Sequence, residues 1–216
     1  MPRDKMDRIV YRLLCFQTYF RKNALLVLIT LFDIIILYLY LLIGGIFKMR
    51  LFIAVTFPSE FRSSVLQAEA LLKSQCISGR FTQPEYLHLT LAFIGEFQNL
   101  SLLRNALSSV SFPVFSVSTK QIGHFGDLWW LGLHPCPELQ KLAKDLRAAL
   151  ENSKIPFDKK PFRPHITLAR QVTLEHEPAI EVSTATLQIE KIWIMSSERY
   201  QGRLKYRELF SLPAKP

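Results

Sequence analysis

Two short histidine-containing segments of this 216-residue chain have nearly the same sequence. Residues 88–92 read His-Leu-Thr-Leu-Ala, and residues 165–169 read His-Ile-Thr-Leu-Ala. In a β-strand, residues i and i+2 project to the same side, so each copy presents an imidazole, a hydroxyl and then a small alanine that leaves space for a ligand. Histidine titrates near neutral pH and can act as an acid or a base. The repeat predicts a reaction that needs one acid, one base and two hydrogen bonds to a tetrahedral oxyanion, such as phosphodiester hydrolysis.

The repetition favours chemistry over a structural role. A single His-x-Thr sequence on a strand is usually a half-exposed polar pair, and two copies in one chain reverse that expectation. The intervening apolar residues, Leu89 and Leu91 in the first copy and Ile166 and Leu168 in the second, would anchor the opposite face of each strand.

The elements that must position these motifs are strands and helices in a mixed order. Residues 86–94 alternate, with Phe93 on the apolar face and Gly95 ending the strand. The pattern predicts strands at 51–57, 86–94, 113–122, 128–133, 165–169, 182–195 and 204–210, and helices at 59–73, 99–110 and 137–151. Because many connections are too short for right-handed crossovers, we expect an α+β fold with antiparallel sheets.

Composition excludes several classes of protein. With 49% hydrophobic and 21% charged residues, the chain is neither disordered nor fibrous. Its net charge of +9 weakly favours polyanionic partners. Three widely spaced cysteines provide neither a disulfide framework nor a CxxC site. The absence of an HExxH motif, a compact His and carboxylate cluster and a glycine-rich phosphate loop argues against zinc, a metal pair or a nucleoside triphosphate, so we expect no metal and no cofactor.

The first 48 residues differ from the rest of the chain. Residues 24–47 carry Asp33 as their only charge and have the length and polarity of a transmembrane helix. We therefore divide the chain into an N-terminal extension, residues 1–48, and a catalytic domain, residues 49–216. The extension has two interpretations: it anchors the enzyme to a membrane, or translation normally begins at Met49 and the extension is not made.

We favour the start at Met49, which predicts a cytoplasmic enzyme; translation of residues 24–47 would make it membrane-anchored. The basic residues before the apolar segment would keep the N-terminus inside and export the domain from the cytoplasm. Only three residues would separate the helix from the strand that begins at Leu51. Asp33 at mid-span adds a cost of about 2.5 to 3.5 kcal/mol on insertion scales.

Residues 85–95 and 162–170 resemble the two signature motifs of the RNA 2′,3′-cyclic phosphodiesterases. This family, formerly called 2′-5′ RNA ligases, belongs to the two-histidine phosphoesterase superfamily. The resemblance runs from Met49 through Trp129-Trp130-Leu131-Gly132 to the region of Ser196, Gly202 and Tyr206. It implies a bilobal fold in which two pseudo-duplicated antiparallel sheets with flanking helices face a central groove.

The resemblance also implies a reaction, in which an RNA end with a 2′,3′-cyclic phosphate is opened to a 2′-phosphate without a metal. By this analogy His88 protonates the departing 3′ oxygen and His165 activates water, while Thr90 and Thr167 hold the phosphate. Arg170 would stabilise charge or guide the RNA backbone, although five residues after His165 the regular alternation places it on the opposite strand face.

Three further residues are weaker candidates for the site. Arg163, beside the second motif, is either a substrate contact or a solvated charge at a strand end. Phe125, in a Gly-His-Phe-Gly turn, could stack on a terminal base or pack within the turn. Of the adjacent Trp129 and Trp130, one must face the core, and we assign neither to the site.

Other activities stay open at this point. Within the superfamily the rival substrates are 2′-5′ oligonucleotides or another cyclic nucleotide phosphate. From another class, the rival is a membrane-anchored RNA-binding module without turnover, and the intact histidines and threonines of both motifs speak against it. We expect RNA ends or small cyclic-phosphate nucleotides as partners, and a monomer.

Overall fold

The structure of the protein is a computed structural model that describes residues 50–176 and 178–215. These residues form nine strands, three α-helices and a single turn of 3₁₀ helix at Pro84–Tyr86. In chain order the strands and helices are β1 (Arg50–Thr56), α1 (Ser59–Ser74), β2 (Cys76–Phe81), β3 (His88–Glu96), α2 (Leu100–Ser108), β4 (Phe115–Phe125), β5 (Leu128–Leu133), α3 (Pro137–Asn152), β6 (His165–Leu174), β7 (Thr186–Ile189), β8 (Lys191–Tyr200) and β9 (Arg203–Pro213).

The strands form a single sheet whose middle is occupied by the two motif-bearing strands. The order is β7-β4-β5-β6-β3-β1-β8-β9, and β2 pairs with β6 beside this path. All of the paired strands are antiparallel. The α+β antiparallel class is therefore confirmed, with four strands of the main path on each side of the centre. The two halves are continuous, because β3 and β6 pair directly at Leu89 and Ile166.

The hydrophobic core lies on the face of the sheet opposite the motif histidines and threonines. Each helix buries an apolar stripe, for example Phe61, Val65, Ala68 and Leu72 on α1. The apolar residues between the motif positions join the same cluster, since Leu89, Leu91, Ile166 and Leu168 are at most 1% exposed. Burial of apolar side chains is the main stabilising contribution to such a fold. Here it keeps the apolar residues of β3 and β6 on the core side of the sheet.

Two parts of the strand prediction are wrong. Residues 182–195 are not one strand: β7 pairs with β4 in one half, and β8 pairs with β1 in the other. The chain crosses between the halves at Glu190, where two successive exposed residues, Glu190 and Lys191, interrupt the alternation. Strand β2 was not predicted, because it is short, has no buried residue and lacks a regular apolar pattern.

The N-terminal extension, residues 1–48, and its candidate transmembrane segment, residues 24–47, lie outside the described residues. The two interpretations of the extension therefore stay predictions. Among residues 50–176 and 178–215, no helix has both the length and the apolar character needed to cross a membrane.

Candidate active site

The two His-x-Thr motifs meet in one groove at the centre of the sheet. Strands β3 and β6 begin at His88 and His165, and their pairing at the following residues brings the two motifs side by side. A cavity of about 880 Å³ is lined by both histidines and by Thr90 and Thr167. All four side chains are partly buried. The pleat that directs the intervening apolar residues into the core directs these four into the groove.

Both imidazoles are held in the same way. Nδ1 of His88 lies 2.6 Å from the carbonyl oxygen of Tyr86, and Nδ1 of His165 lies 2.6 Å from the carbonyl oxygen of Arg163. A carbonyl oxygen can only accept a hydrogen bond, so the proton is assigned to Nδ1 in each ring. This assignment leaves Nε2 of both histidines available for proton transfer. Each histidine thus uses the carbonyl two residues before it to fix the tautomer.

Aromatic side chains surround His88 in the first half. The ring of Phe52 lies 4.9 Å from the His88 ring between centroids, and that of Tyr206 lies 5.5 Å away. Tyr86 packs against Tyr206 at 4.8 Å and donates a hydrogen bond to the carbonyl oxygen of Leu204. These contacts connect His88 to the β8–β9 hairpin. Sequence reasoning assigned Phe52, Tyr86 and Tyr206 no role in the site. Two signals were present: Tyr86 precedes its histidine by two residues, as Arg163 does, and the family resemblance reaches the region of Tyr206.

A corresponding group of aromatic rings lies beside His165. Phe125 approaches the His165 ring edge-on at 5.7 Å, and Trp130 lies 6.4 Å away. Trp129 is buried in the core, so the pair of tryptophans divides as expected, but Trp130 packs beside the site. Trp130 fits because two neighbouring glycines leave room for its indole. A Cβ atom on Gly123 would lie 2.3 Å from the indole. The second glycine is Gly132, which is paired with His165 across the strands.

Burial and charge act together on His88. Burial lowers the pKa of His88 below its ordinary value, and the nearby His165 and Arg170 lower it further, against the opposing effect of the hydrogen bond to Tyr86. Both effects disfavour a positive charge on the ring. Burial also raises the pKa of Tyr206, so its hydroxyl stays protonated at neutral pH. In the unliganded groove His88 is therefore biased towards its neutral form.

A β-bulge in each motif strand reverses the alternation after the threonine. Opposite β1, the consecutive residues Ile53 and Ala54 pair with Ala92 and Thr90, which leaves Leu91 between them as the extra residue of β3. Opposite β5, Leu168 is the extra residue in β6. Bulges re-aim the side chains that follow them. The alanines that were expected beside the ligand, Ala92 and Ala169, are buried in the core instead, although Ala92 still touches the groove wall.

The bulges bring the fifth residue after each histidine into the groove. In β6 this residue is Arg170, which is exposed, lines the cavity and acts electrostatically on His88. The regular alternation placed Arg170 on the opposite face, and the bulge removes that objection. In β3 the equivalent residue is Phe93, which is 43% exposed and lines the cavity. The prediction that Phe93 faces the core is therefore wrong.

Arg163 and Phe125 also line the groove. The guanidinium carbon of Arg163 lies 5.6 Å from the centre of the Phe125 ring, which is 41% exposed. The backbone behind Thr167 is braced by Thr82, whose hydroxyl donates to the Thr167 carbonyl at 3.0 Å. All seven residues predicted for the site therefore lie in or along the same cavity.

Within residues 50–176 and 178–215, no group of three or more His, Cys, Asp or Glu side chains gathers that could hold a metal ion. His124, His134 and His176 are exposed at the surface.

Comparison with known proteins gives consistent matches. A profile described as the 2′-5′ RNA ligase superfamily matches residues 59–201. The RNA 2′,3′-cyclic phosphodiesterase of Escherichia coli is 31% identical over 172 residues, which cover 74% of this chain and 93% of that protein. The enzyme of the same name from Thermotoga maritima is 32% identical over 131 residues, covering 56% and 70%. The crystal structure of E. coli LigT complexed with 3′-AMP superposes with a TM-score of 0.65 at 26% identity, covering 78% of this chain and 99% of LigT.

Proposed function

This chain belongs to the 2′-5′ RNA ligase superfamily, and we propose that it hydrolyses RNA 2′,3′-cyclic phosphate ends to 2′-phosphomonoesters. The shared name of its relatives supports this activity. The observation that carries the proposal is the paired arrangement of His88 and His165. Each ring is fixed through Nδ1 by a carbonyl 2.6 Å away and directs the other nitrogen to a common groove.

The reaction needs two proton transfers at one phosphorus atom. Nε2 of His165 removes a proton from water, whose oxygen then forms the new bond to phosphorus. The bond from phosphorus to the 3′ oxygen breaks, and Nε2 of His88 delivers a proton to that oxygen. Positioned acids and bases of this kind typically contribute about 10² to 10⁴ in rate. The product carries its phosphate on the 2′ oxygen.

The remaining groove residues bind the phosphate and the nucleoside. Hydroxyls of Thr90 and Thr167 donate to the non-bridging oxygens, and the Arg170 guanidinium stabilises the negative charge that develops on them. Exposed aromatic rings stack readily on unpaired bases, and this is the role we propose for Phe125 and Phe93. Arg163 holds Phe125 from one side and adds positive charge next to His165.

Binding of the substrate phosphate favours the protonated form of His88, which the proposed reaction needs as its acid. In the unliganded groove, burial and neighbouring positive charges keep the pKa of His88 low. A bound phosphodiester anion offsets those charges and raises the pKa of His88. His88 therefore gains its proton as the substrate binds. Turnover plotted against pH should be bell-shaped, and its two limbs belong to the coupled pair.

The chemistry requires no metal, because the two imidazoles perform both proton transfers and the threonines and Arg170 bind the phosphate. We expect activity to persist when a chelator is present. A requirement for an added divalent cation would contradict this mechanism.

We propose that residues 49–216 carry the activity alone. Every described residue that lines the groove lies between Arg50 and Tyr206. A chain that starts at Met49 should therefore be monodisperse and active. Aggregation or loss of folding would show that residues 1–48 contribute to the domain.

One assay tests the whole proposal. A short RNA with a 2′,3′-cyclic phosphate end is incubated with the protein and a chelator, and the position of the product phosphate is identified by mass spectrometry and by comparison with 2′- and 3′-phosphate standards. We expect the 2′-phosphate, and a 10² to 10⁴ loss of turnover in His88→Ala and in His165→Ala. Faster cleavage of a 2′-5′ linked oligonucleotide or of another cyclic nucleotide would replace the substrate assignment. Saturable RNA binding without hydrolysis would favour a binding module.

A further inference from the structure

One rim of the groove is a basic loop whose lysine has no role in the proposed reaction. Residues 158–163, which we call the rim loop, connect the end of α3 to β6 and are mostly exposed. The loop contributes Lys160 and Arg163 to the groove. It runs directly into His165, whose Nδ1 is held by the carbonyl of Arg163.

Four contacts hold the rim loop in place. Arg147 of α3 donates from Nη2 to the carbonyl oxygens of Asp158 and Lys160, at 2.9 and 2.6 Å. The amide of Asp158 donates to the carbonyl oxygen of Phe93 on β3, at 2.8 Å. The Asp158 carboxylate accepts from the amide of Lys160, at 3.0 Å. Because its backbone is already ordered, the loop loses little conformational entropy when a ligand binds.

The charge along the groove is unbalanced in favour of an anion larger than one phosphate. Among the described residues that line it, one side chain is acidic and five are basic: Asp158 against Arg50, Arg147, Lys160, Arg163 and Arg170. The proposed reaction assigns Arg170 to the cyclic phosphate. The Lys160 side chain is 86% exposed, and its ammonium lies 3.8 Å from the Asp158 carboxylate. Such an exposed pair is weak and exchanges readily for a phosphate.

We propose that the rim loop binds the phosphodiester on the 5′ side of the terminal nucleotide, with Lys160 as the principal contact. This inference rests on the proposed function, and it makes the preferred substrate an oligonucleotide instead of a mononucleotide. The chain of an RNA that ends in a cyclic phosphate can leave the site only in the 5′ direction, and its next charged group is that phosphodiester. Lys160 supplies a solvated cation to the groove on a backbone that Arg147 holds in place.

The test measures equilibrium binding, so that it does not depend on turnover. The ligands are a dinucleotide with a terminal 2′-phosphate and the same dinucleotide with an uncharged methylphosphonate linkage. A single-strand phosphate contact contributes roughly 0.7 to the slope of log affinity against log salt, or about fivefold in affinity at about 0.1 M salt. Lys160→Gln should therefore weaken binding of the natural dinucleotide about fivefold and reduce that slope by about 0.7.

The methylphosphonate dinucleotide and a second variant are the controls. Lys160→Gln should leave the affinity for the methylphosphonate ligand unchanged, because that ligand lacks the negative charge that Lys160 contacts. Lys144→Gln, which removes an exposed positive charge of α3 away from the groove lining, should affect neither ligand. Equal weakening of both ligands, or no weakening of either, would overturn the proposal.

Turnover tests the proposed function independently of the rim-loop contact. The unmodified protein should hydrolyse a mononucleoside 2′,3′-cyclic phosphate, which lacks the 5′ phosphodiester. Normal turnover, combined with a dinucleotide affinity that Lys160→Gln does not change, would refute the rim-loop contact and leave the proposed function intact. Binding that depends on Lys160 without any hydrolysis would refute the proposed function and support the contact.

Discussion

In the proposed mechanism, replacing His88 by alanine removes one defined proton transfer, and a change in the substrate can make that transfer unnecessary. Nδ1 of His88 is occupied by the Tyr86 carbonyl at 2.6 Å, so the proposal assigns the proton donated to the leaving oxygen to Nε2. The variant loses this donor completely, and we expect turnover to fall by about 10² to 10⁴. The fold should survive, because the side chain projects into the groove and not into the core.

Substitution of sulfur for the 3′ oxygen supplies a leaving group that needs no proton. A thiol with a pKa of about 8.5 departs as a thiolate far more readily than an alcohol departs as an alkoxide. His88→Ala should therefore hydrolyse the 3′-thio substrate within about tenfold of the unmodified protein, since the acid's contribution is removed from both. His165→Ala should stay slow on both substrates, because its missing step is deprotonation of water.

The assay compares single-turnover rates on the 3′-oxygen and 3′-thio substrates, with thiol release followed by a colorimetric reagent. His134→Ala, which removes an exposed histidine outside the groove, is the matched control and should behave like the unmodified protein. Rescue of His165→Ala without rescue of His88→Ala would mean that the two roles are reversed. Rescue of neither variant would refute the view that proton transfer limits the rate.

Three further predictions follow from the geometry around the groove. Arg170→Gln removes a positive charge that lowers the pKa of His88, so NMR titration should show that pKa rising; an unchanged titration would place the guanidinium too far away to act. Gly123→Ala would put a Cβ atom 2.3 Å from the indole of Trp130, so we expect altered tryptophan fluorescence and a lower kcat/KM at nearly unchanged secondary structure by circular dichroism, and unaltered kinetics would show that the position of Trp130 is irrelevant. Leu89→Ala deletes a fully buried side chain at the pairing of β3 and β6 and should cost about 2 to 5 kcal/mol in chemical denaturation, whereas a loss well below 1 kcal/mol would show that this contact does not hold the two halves together.

The common placement of the motif side chains was predictable because it depends on residue type and on the period of a strand. A repeated His-x-Thr places imidazole and hydroxyl on one face wherever the segment is extended, and the apolar residues between them indicate which face is buried. The antiparallel class of the sheet was predictable from the short connections between strands, because the length of a connection is also read from the local sequence. The histidines and threonines of both motifs accordingly line one groove.

Local periodicity failed wherever a partner strand decides the geometry. The bulges at Leu91 and Leu168 exist only in register with β1 and β5, and they direct Phe93 and Arg170 into the groove against the regular alternation. The division of residues 182–195 depends likewise on which strands lie beside them.

The environment of the histidines was also decided by tertiary structure. Phe52 and Tyr206 belong to strands far from His88 in sequence, yet their burial of its ring lowers its pKa. The rim loop is held in place by Arg147 and Phe93, which belong to two other elements and meet it only in the folded chain. Sequence alone determined which groups could react, because reactivity belongs to the side chain. Packing decided their orientation, protonation and neighbours, because these depend on residues that meet only in the folded chain.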